Sequence, residues 1–167
     1  MFIKNFGLFW RGDEIDWFPG KGNKGAFRLL GRQNANRPIL RMADFRYQQG
    51  IYILYGNHGP YYVGLTMQGL GIRLKNHQAD NLAGQWDRFS WFGFCSVLKG
   101  TDKDGLQQLG RMAKKALARP DNMIRDVEAL LIRAMGLRNI NQSNFSVADP
   151  WIQVKLDEVD TYFDRLW

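Results

Sequence analysis

Two short β-favouring runs around a tight turn constrain the fold of this chain more than any other feature. The runs are GIYILY from Gly50 and YYVGLT from Tyr61, and the segment between them, GNHGP, contains two glycines and a proline. Such a pattern predicts an antiparallel hairpin with His58 in its turn. Tyr52 and Tyr62, ten positions apart on the paired strands, are then expected on one side of the sheet.

A helix and a third strand are predicted to follow the hairpin. In GLGIRLKNHQAD, Leu70 and Leu74 share one helical face, whereas Arg73 and His77 share another. The next run, RFSWFGFCSVL, is aromatic and rich in β-formers. It predicts a largely buried strand in which Cys95 is a core residue.

The chain from residue 101 onward is predicted to be helical, because its apolar residues recur at helical spacing. The second of three apolar stripes follows Pro120 and ends at Gly136, which suits a helix bounded by these two residues. The stripes are Leu106, Leu109, Ala113, Ala116 and Leu117; Met123, Ile124, Val127, Leu130, Leu131, Ala134 and Met135; and Ile152, Leu156, Val159, Phe163 and Leu166.

Most of the excess positive charge lies in residues 1–49, which have the composition of short strands joined by turns. This segment carries nine basic and four acidic residues, and the whole chain has a net charge of +7. An excess of this size favours a polyanionic partner. The cluster PGKGNKG is not a phosphate loop, because Ala26 and Phe27 stand where Lys and Ser or Thr are required. It predicts a basic hairpin loop in which Lys21 and Lys24 can touch a nucleic-acid backbone.

Composition also excludes some classes of protein. No apolar stretch approaches the roughly 20 residues of a membrane-spanning helix. The first residues, MFIKNFGLFWRGDE, lack the pattern of a secretory signal, and the single Cys95 cannot form an internal disulfide. We therefore expect an intracellular, reducing location in the cytoplasm.

The order of the polar residues resembles the GIY-YIG nuclease family over residues 50–145. The resemblance rests on Gly50-Ile51-Tyr52, Tyr62-Val63-Gly64, Arg73, His77 and Glu128. Val63 replaces the isoleucine of the family name, and the interval from His77 to Glu128 is long. The family's final asparagine could therefore correspond to Asn139, Asn141 or Asn144, and Asn141 is the predicted site residue.

This resemblance implies an α+β fold with a small three-stranded antiparallel sheet flanked by helices. It divides the chain into a basic, β-rich N-terminal extension over residues 1–49, a nuclease-like catalytic core over 50–145, and a C-terminal helix over 146–167 that packs on the core.

The family's site residues have side chains that suit phosphodiester hydrolysis. By family analogy Tyr52 contacts the attacking water, and Tyr62 lies beside it. Arg73 offers a permanent cation with a fork that matches phosphate oxygens. His77, one helical turn further on, is suited to assist proton transfer or to hold the backbone.

Glu128 is the predicted metal ligand. Its helical neighbours include Ile124, Leu131 and Ile132, so its carboxylate is expected at the border of an apolar stripe, where an unpaired charge is costly. Arg125 is an alternative partner for it. Mg²⁺ commonly takes one or two protein carboxylates and completes its shell with water and phosphate, so Mg²⁺ or Mn²⁺ is the expected cofactor.

The expected function is therefore metal-dependent endonucleolytic cleavage, with DNA as the leading substrate. Two alternatives stay open: a non-catalytic nucleic-acid-binding module that retained the fold, and an RNA-directed nuclease. Arg111, Lys114 and Lys115 form a basic helical face that is either a solvated surface or a contact to the nucleic-acid backbone.

Overall fold

A computed structural model describes residues 2–20, 26–112, 120–136, 145 and 147–167. These residues form two five-stranded mixed sheets and three α-helices. The strands are β1 (Asn5–Arg11), β2 (Leu30–Gln33), β3 (Arg41–Asp44), β4 (Gly50–Gly56), β5 (Gly59–Thr66), β6 (Arg88–Gly93), β7 (Val97–Thr101), β8 (Gln107–Leu109), β9 (Asp149–Pro150) and β10 (Ile152–Gln153). The helices are α1 (Leu70–Asn76), α2 (Pro120–Met135) and α3 (Val159–Leu166).

The first sheet has the strand order β5-β4-β6-β1-β9 and contains the predicted hairpin. Strands β4 and β5 pair antiparallel with Tyr52 opposite Gly64 and Ile53 opposite Val63. The predicted third strand, β6, pairs antiparallel with β4 and places Trp91 opposite Tyr52. The local predictions for residues 50–66 are thus confirmed. The strand predicted over residues 88–98 is confirmed only in its first part, because β6 ends at Gly93 and residues 97 and 98 belong to β7 in the second sheet.

The predicted fold class, a small three-stranded sheet flanked by helices, is wrong. Strand β1 pairs with the second edge of β6, and β9 then adds to β1 in parallel. A second sheet, ordered β10-β2-β3-β8-β7, assembles the other strands of the N-terminal segment with later ones. The residues before Gly50 therefore contribute strands to both sheets. In the first sheet, β1 pairs with the edge of β6 that β4 leaves free, and this pairing satisfies the backbone hydrogen-bonding groups along that edge.

Two of the predicted helical stripes are also corrected. Gln107–Leu109 form strand β8 between β3 and β7, and Ile152 lies in β10, so that α3 begins only at Val159. A strand that is covered on both faces can also have apolar residues three or four positions apart. This spacing therefore does not distinguish such a strand from a helix, which explains why residues 107–109 and 152 were wrongly predicted to be helical. Ala113, Ala116 and Leu117 lie outside the described residues.

The middle prediction is confirmed, since α2 runs from Pro120 to Met135 and Gly136 follows with a positive φ of 78°. Its buried face differs from the predicted stripe, however. Ala129, Leu130 and Ala134 are buried, but Ile124 is exposed. None of the helices in the described ranges has the length and apolar character needed to cross a membrane.

Three apolar cores separate the layers of the molecule. The first lies between the two sheets and also receives α1, the second lies between the first sheet and α2, and the third lies between the second sheet and α3. Their buried members include Trp10, Ala43, Phe45, Tyr52, Leu54, Leu70, Leu74 and Trp91 in the first; Ile3, Phe6, Ile53, Tyr55, Phe92, Ala129, Leu130 and Ala134 in the second; and Leu30, Met42, Leu106, Val154 and Tyr162 in the third. Cys95 is buried, as predicted.

Replacement of Gly50 by alanine is expected to destabilise the fold. A Cβ atom there would lie 2.1 Å from the carbonyl oxygen of Phe92 on the neighbouring strand. Because backbone must move to relieve this overlap, Gly50→Ala should lower the free energy of unfolding by about 1–3 kcal/mol in urea titrations. Gly100→Ala is the matched control, since a Cβ atom on that β7 glycine meets nothing within 4 Å. Equal midpoints for the two variants would contradict the expectation.

Candidate active site

Tyr52 lies on β4 with its ring directed into the space between the sheets, across from Gly64 on β5. A Cβ atom on Gly64 would lie 2.3 Å from the Tyr52 hydroxyl oxygen, so only glycine leaves room for this ring. The ring of Tyr62 lies 6.1 Å from that of Tyr52, measured between centroids. The glycine of the second motif therefore positions the tyrosine of the first.

Helix α1 brings His77 to these tyrosines. Leu70 and Leu74 are buried in the core between the sheets and hold the helix against β4. His77 follows the last residue of α1 and is almost completely buried. Its Nε2 atom lies 2.8 Å from the hydroxyl oxygen of Tyr52, and its ring stands edge-on to that of Tyr62 at 5.3 Å. The predicted grouping of two tyrosines and one histidine is present in the structure.

Asp80 completes a hydrogen-bonded series with His77 and Tyr52. Its Oδ2 atom lies 2.6 Å from Nδ1 of His77, and its Oδ1 atom accepts a 2.8 Å hydrogen bond from the Leu82 amide. The Leu82 amide and the His77 ring hold the pKa of Asp80 below its ordinary value. The ionised carboxylate only accepts, so Nδ1–H of His77 donates to it, and in a neutral imidazole Nε2 then accepts from Tyr52.

The phenol of Tyr52 is held in its neutral form. Burial raises its pKa to about 12, even though the guanidinium of Arg73 acts in the opposite direction. At neutral pH the hydroxyl therefore keeps its proton and donates it in a hydrogen bond to His77. Any role of Tyr52 as a proton acceptor requires that this proton first move to the imidazole.

Arg73 lies on the solvent side of the cluster. It is exposed on α1, and its guanidinium interacts with the hydroxyl groups of both Tyr52 and Tyr62. Tyr62 is half-buried, whereas Tyr52 is fully covered. An anion that approaches this site meets Arg73 and Tyr62 before the buried Tyr52 and His77, and Asp80 is exposed on the other side of the His77 ring.

The structure does not bring Glu128 to this cluster. Residues Ala129 and Ala134 of α2 pack with Ile53 on the face of the first sheet opposite to Tyr52. Successive residues of a strand point to opposite faces, so the sheet lies between α2 and the tyrosines. Glu128 itself is exposed to solvent.

The buried carboxylate of α2 is Asp126, which lies two residues before Glu128. Its Oδ2 atom accepts hydrogen bonds from the backbone amides of Phe2 and Ile3 at 2.8 and 3.0 Å. The sequence predicted that Glu128 would lie at the edge of the buried face of α2. In the structure the helix is rotated about its axis relative to that prediction, so that Asp126 is buried and Glu128 is exposed. Through this oxygen Asp126 serves the N-terminal backbone.

Glu128 cannot contact an ion bound beside Tyr52, because the first sheet lies between them. Within the described ranges, no three His, Cys, Asp or Glu side chains converge as a metal-binding group. Arg111 is exposed just after β8. The other predicted positions lie outside the described residues: Lys21, Lys24, Lys114, Lys115, Asn139, Asn141 and Asn144.

Asp80 is the site residue that the sequence prediction missed. A histidine and a carboxylate three residues apart are neighbours on a helix, so the His77 and Asp80 spacing carried a usable signal. The signal is weak, because such pairs are common on solvated surfaces. The contact of Tyr52 with the other nitrogen of the imidazole distinguishes the His77 and Asp80 pair from a pair on a solvated surface.

Comparisons of the chain with protein-family models, with curated proteins and with solved structures gave no match. The function of the chain is therefore inferred from the geometry of the site and from the motif resemblance.

We expect one tyrosine of the folded protein to titrate with a pKa of about 12, and Tyr52→Phe to abolish that transition. The folded state favours the neutral phenol, so this group contributes stability below the ordinary phenol pKa of about 10, and the contribution is lost as the pH rises towards about 12. Ultraviolet titration of tyrosinate checks the pKa. Tyr61→Phe is the control, and an unchanged titration curve for Tyr52→Phe would contradict the assignment.

Proposed function

We propose that this protein cleaves phosphodiester bonds in nucleic acid, with DNA as the leading substrate and with Tyr52, Tyr62, Arg73 and His77 as its site. The observation that carries the proposal is the contact of Tyr52 with His77 at 2.8 Å, backed by Asp80 and covered by Arg73. A cation, two phenols and an imidazole with an oriented tautomer supply the phosphate contacts and the proton transfer that hydrolysis requires. The motif resemblance points in the same direction.

Arg73 is the group best suited to bind the phosphate. Its guanidinium is exposed and permanently charged, and two of its N–H groups match two phosphate oxygens. The half-buried hydroxyl of Tyr62 is an additional donor on the same side. Arg73 also interacts with the hydroxyl of Tyr52, so a phosphate bound by Arg73 lies close to both phenols.

The proton route follows from the tautomer of His77. Water attacks phosphorus and gives its proton to the oxygen of Tyr52, as the proton of Tyr52 passes to Nε2 of His77. Asp80 stabilises the imidazolium that forms, and the departing alkoxide takes a proton from solvent. This sequence never requires a free tyrosinate, which suits a phenol whose pKa is about 12.

The dependence on Mg²⁺ or Mn²⁺ stays a prediction from the resemblance. Glu128 does not fit the role of a metal ligand at this cluster, so none of the steps above is assigned to a metal. Cleavage assays with supercoiled, linear and branched DNA, and with matched RNA, should therefore be run with and without each ion.

A second candidate is a nucleic-acid-binding module without catalysis. It is favoured by the complete burial of Tyr52 and by the position of Glu128 on the far face of the sheet. Such a module would bind DNA in a salt-sensitive manner through Arg73 and would show no turnover under any of these conditions. The same assays separate the two functions.

Arg73→Ala should lower the cleavage rate by roughly 100- to 1000-fold, since it removes the cation nearest to the developing charge. Arg125→Ala is the matched control, because Arg125 is exposed on α2. Single-turnover cleavage of a labelled DNA measures the rate. If Arg73→Ala retains the wild-type rate, the proposed site is incorrect.

Asp80→Asn is expected to reduce cleavage on the order of 100-fold, because an amide does not stabilise the His77 imidazolium and permits the wrong tautomer. Glu128→Gln makes the same chemical change on the opposite side of the sheet and should leave the rate within about two-fold of wild type. The reverse pattern, in which Glu128→Gln is inactive and Asp80→Asn is active, would refute the assignment of Asp80.

A further inference from the structure

A strip of two exposed aromatic rings and two cations lies beside α1. The strip consists of Phe18, Lys75, Arg46 and Tyr47. The Nζ atom of Lys75 lies 4.8 Å from the centre of the Phe18 ring, and Cζ of Arg46 lies 4.7 Å from the centre of the Tyr47 ring. Both cations also contact the buried ring of Phe27, at 5.0 and 5.8 Å, so the two pairs share one support.

The two outer rings are more exposed than their size would favour. Phe18 has 74% of its surface accessible and Tyr47 has 58%. Each ring has a cation on it and still presents a large free surface to solvent. Alternation of exposed rings with positive charge is how proteins hold single-stranded nucleic acid, with bases stacked on the rings and phosphates near the cations.

The two cations play different parts. Arg46 is fixed, because its Nη1 donates to the carbonyl of Phe27 at 2.7 Å and its Nη2 lies 3.4 Å from Asp44. Lys75 makes no ion pair with any described residue, so its charge is available to a phosphate. The strip therefore combines a stacking surface held by Arg46 with one cation that has no carboxylate partner among the described residues.

The strip lies next to the candidate site, on the other flank of α1. Arg73 and Lys75 are two residues apart on this helix and so point in nearly opposite directions, Arg73 to the phenols and Lys75 to Phe18. A helix is about 10 Å across, which is a short distance for an extended nucleotide chain. Gly71 allows α1 to pack closely against Arg46, since a Cβ atom on this glycine would lie 2.9 Å from Cγ of Arg46.

We propose that the strip binds unpaired nucleotides adjacent to the phosphate held by Arg73, so that the preferred substrate class is single-stranded nucleic acid or an unpaired region within a duplex. Bases in a duplex stack on one another and leave no face for Phe18 or Tyr47. The placement of the scissile phosphate at Arg73 rests on the proposed function. Binding of nucleotides to the strip is independent of the proposed function, because binding is measured without turnover.

Binding of labelled single-stranded DNA and RNA and of the matched duplexes, followed by fluorescence anisotropy, tests the proposal. Wild-type protein should bind single strands more tightly than duplexes. Phe18→Ala and Tyr47→Ala should each weaken single-strand binding roughly 5- to 100-fold and change duplex binding by less than about two-fold. Tyr61→Ala is the matched control, since this ring is 56% exposed on β5. Unchanged thermal unfolding confirms that the variants fold.

Three results would overturn the proposal: single-strand affinity unaffected by Phe18→Ala and Tyr47→Ala, an equal loss in Tyr61→Ala, or equal losses for duplex and single strand. The last result would indicate general electrostatic binding, and the first would leave the two rings to another partner such as a protein. Single-strand binding that depends on the strip but occurs without cleavage would refute the proposed nuclease activity and support the proposed role of the strip. Cleavage that is unaffected by either ring substitution would support the nuclease activity and refute the role of the strip.

Discussion

Side chains of β4 alternate between two cores, and the positions of the surrounding elements depend on this alternation. Tyr52 and Leu54 enter the core between the sheets, whereas Ile53 and Tyr55 enter the core beneath α2. A shift of one residue would exchange the two sets, so a one-residue slip is disfavoured when both faces are packed against other elements. Glycine at position 64 strengthens the constraint, because a side chain there would overlap the ring of Tyr52.

The candidate site keeps its charges at the surface and its neutral groups inside. Arg73 and Asp80 are exposed, and the buried members between them are a neutral phenol and an imidazole joined by a hydrogen bond. Such an arrangement avoids the large cost of an unpaired buried charge. In the proposed mechanism, charge develops inside the site when a proton moves from Tyr52 to His77, where Asp80 is in place to stabilise it.

Sequence patterns predicted the parts of this arrangement that depend on neighbouring residues. The hairpin, the third strand, α1 and α2 were all predictable, because local periodicity and turn composition specify them. The two five-stranded sheets were not, since β1 and β6 are separated by more than seventy residues and their pairing leaves no local signal. The rotation of α2 that buries Asp126 and exposes Glu128 depends on the amides of Phe2 and Ile3, which are distant in the chain.

The sequence by itself determined that Tyr52, Tyr62, Arg73 and His77 would lie on a hairpin and the helix after it, close enough to meet. It also determined that the chain is basic, with the excess concentrated before Gly50. Only the tertiary structure decided that Asp80 joins this group and that Glu128 lies on the other side of the sheet. The physical reason is that helical periodicity defines which residues share a face, but the partner that buries a face is set by packing between segments far apart in sequence.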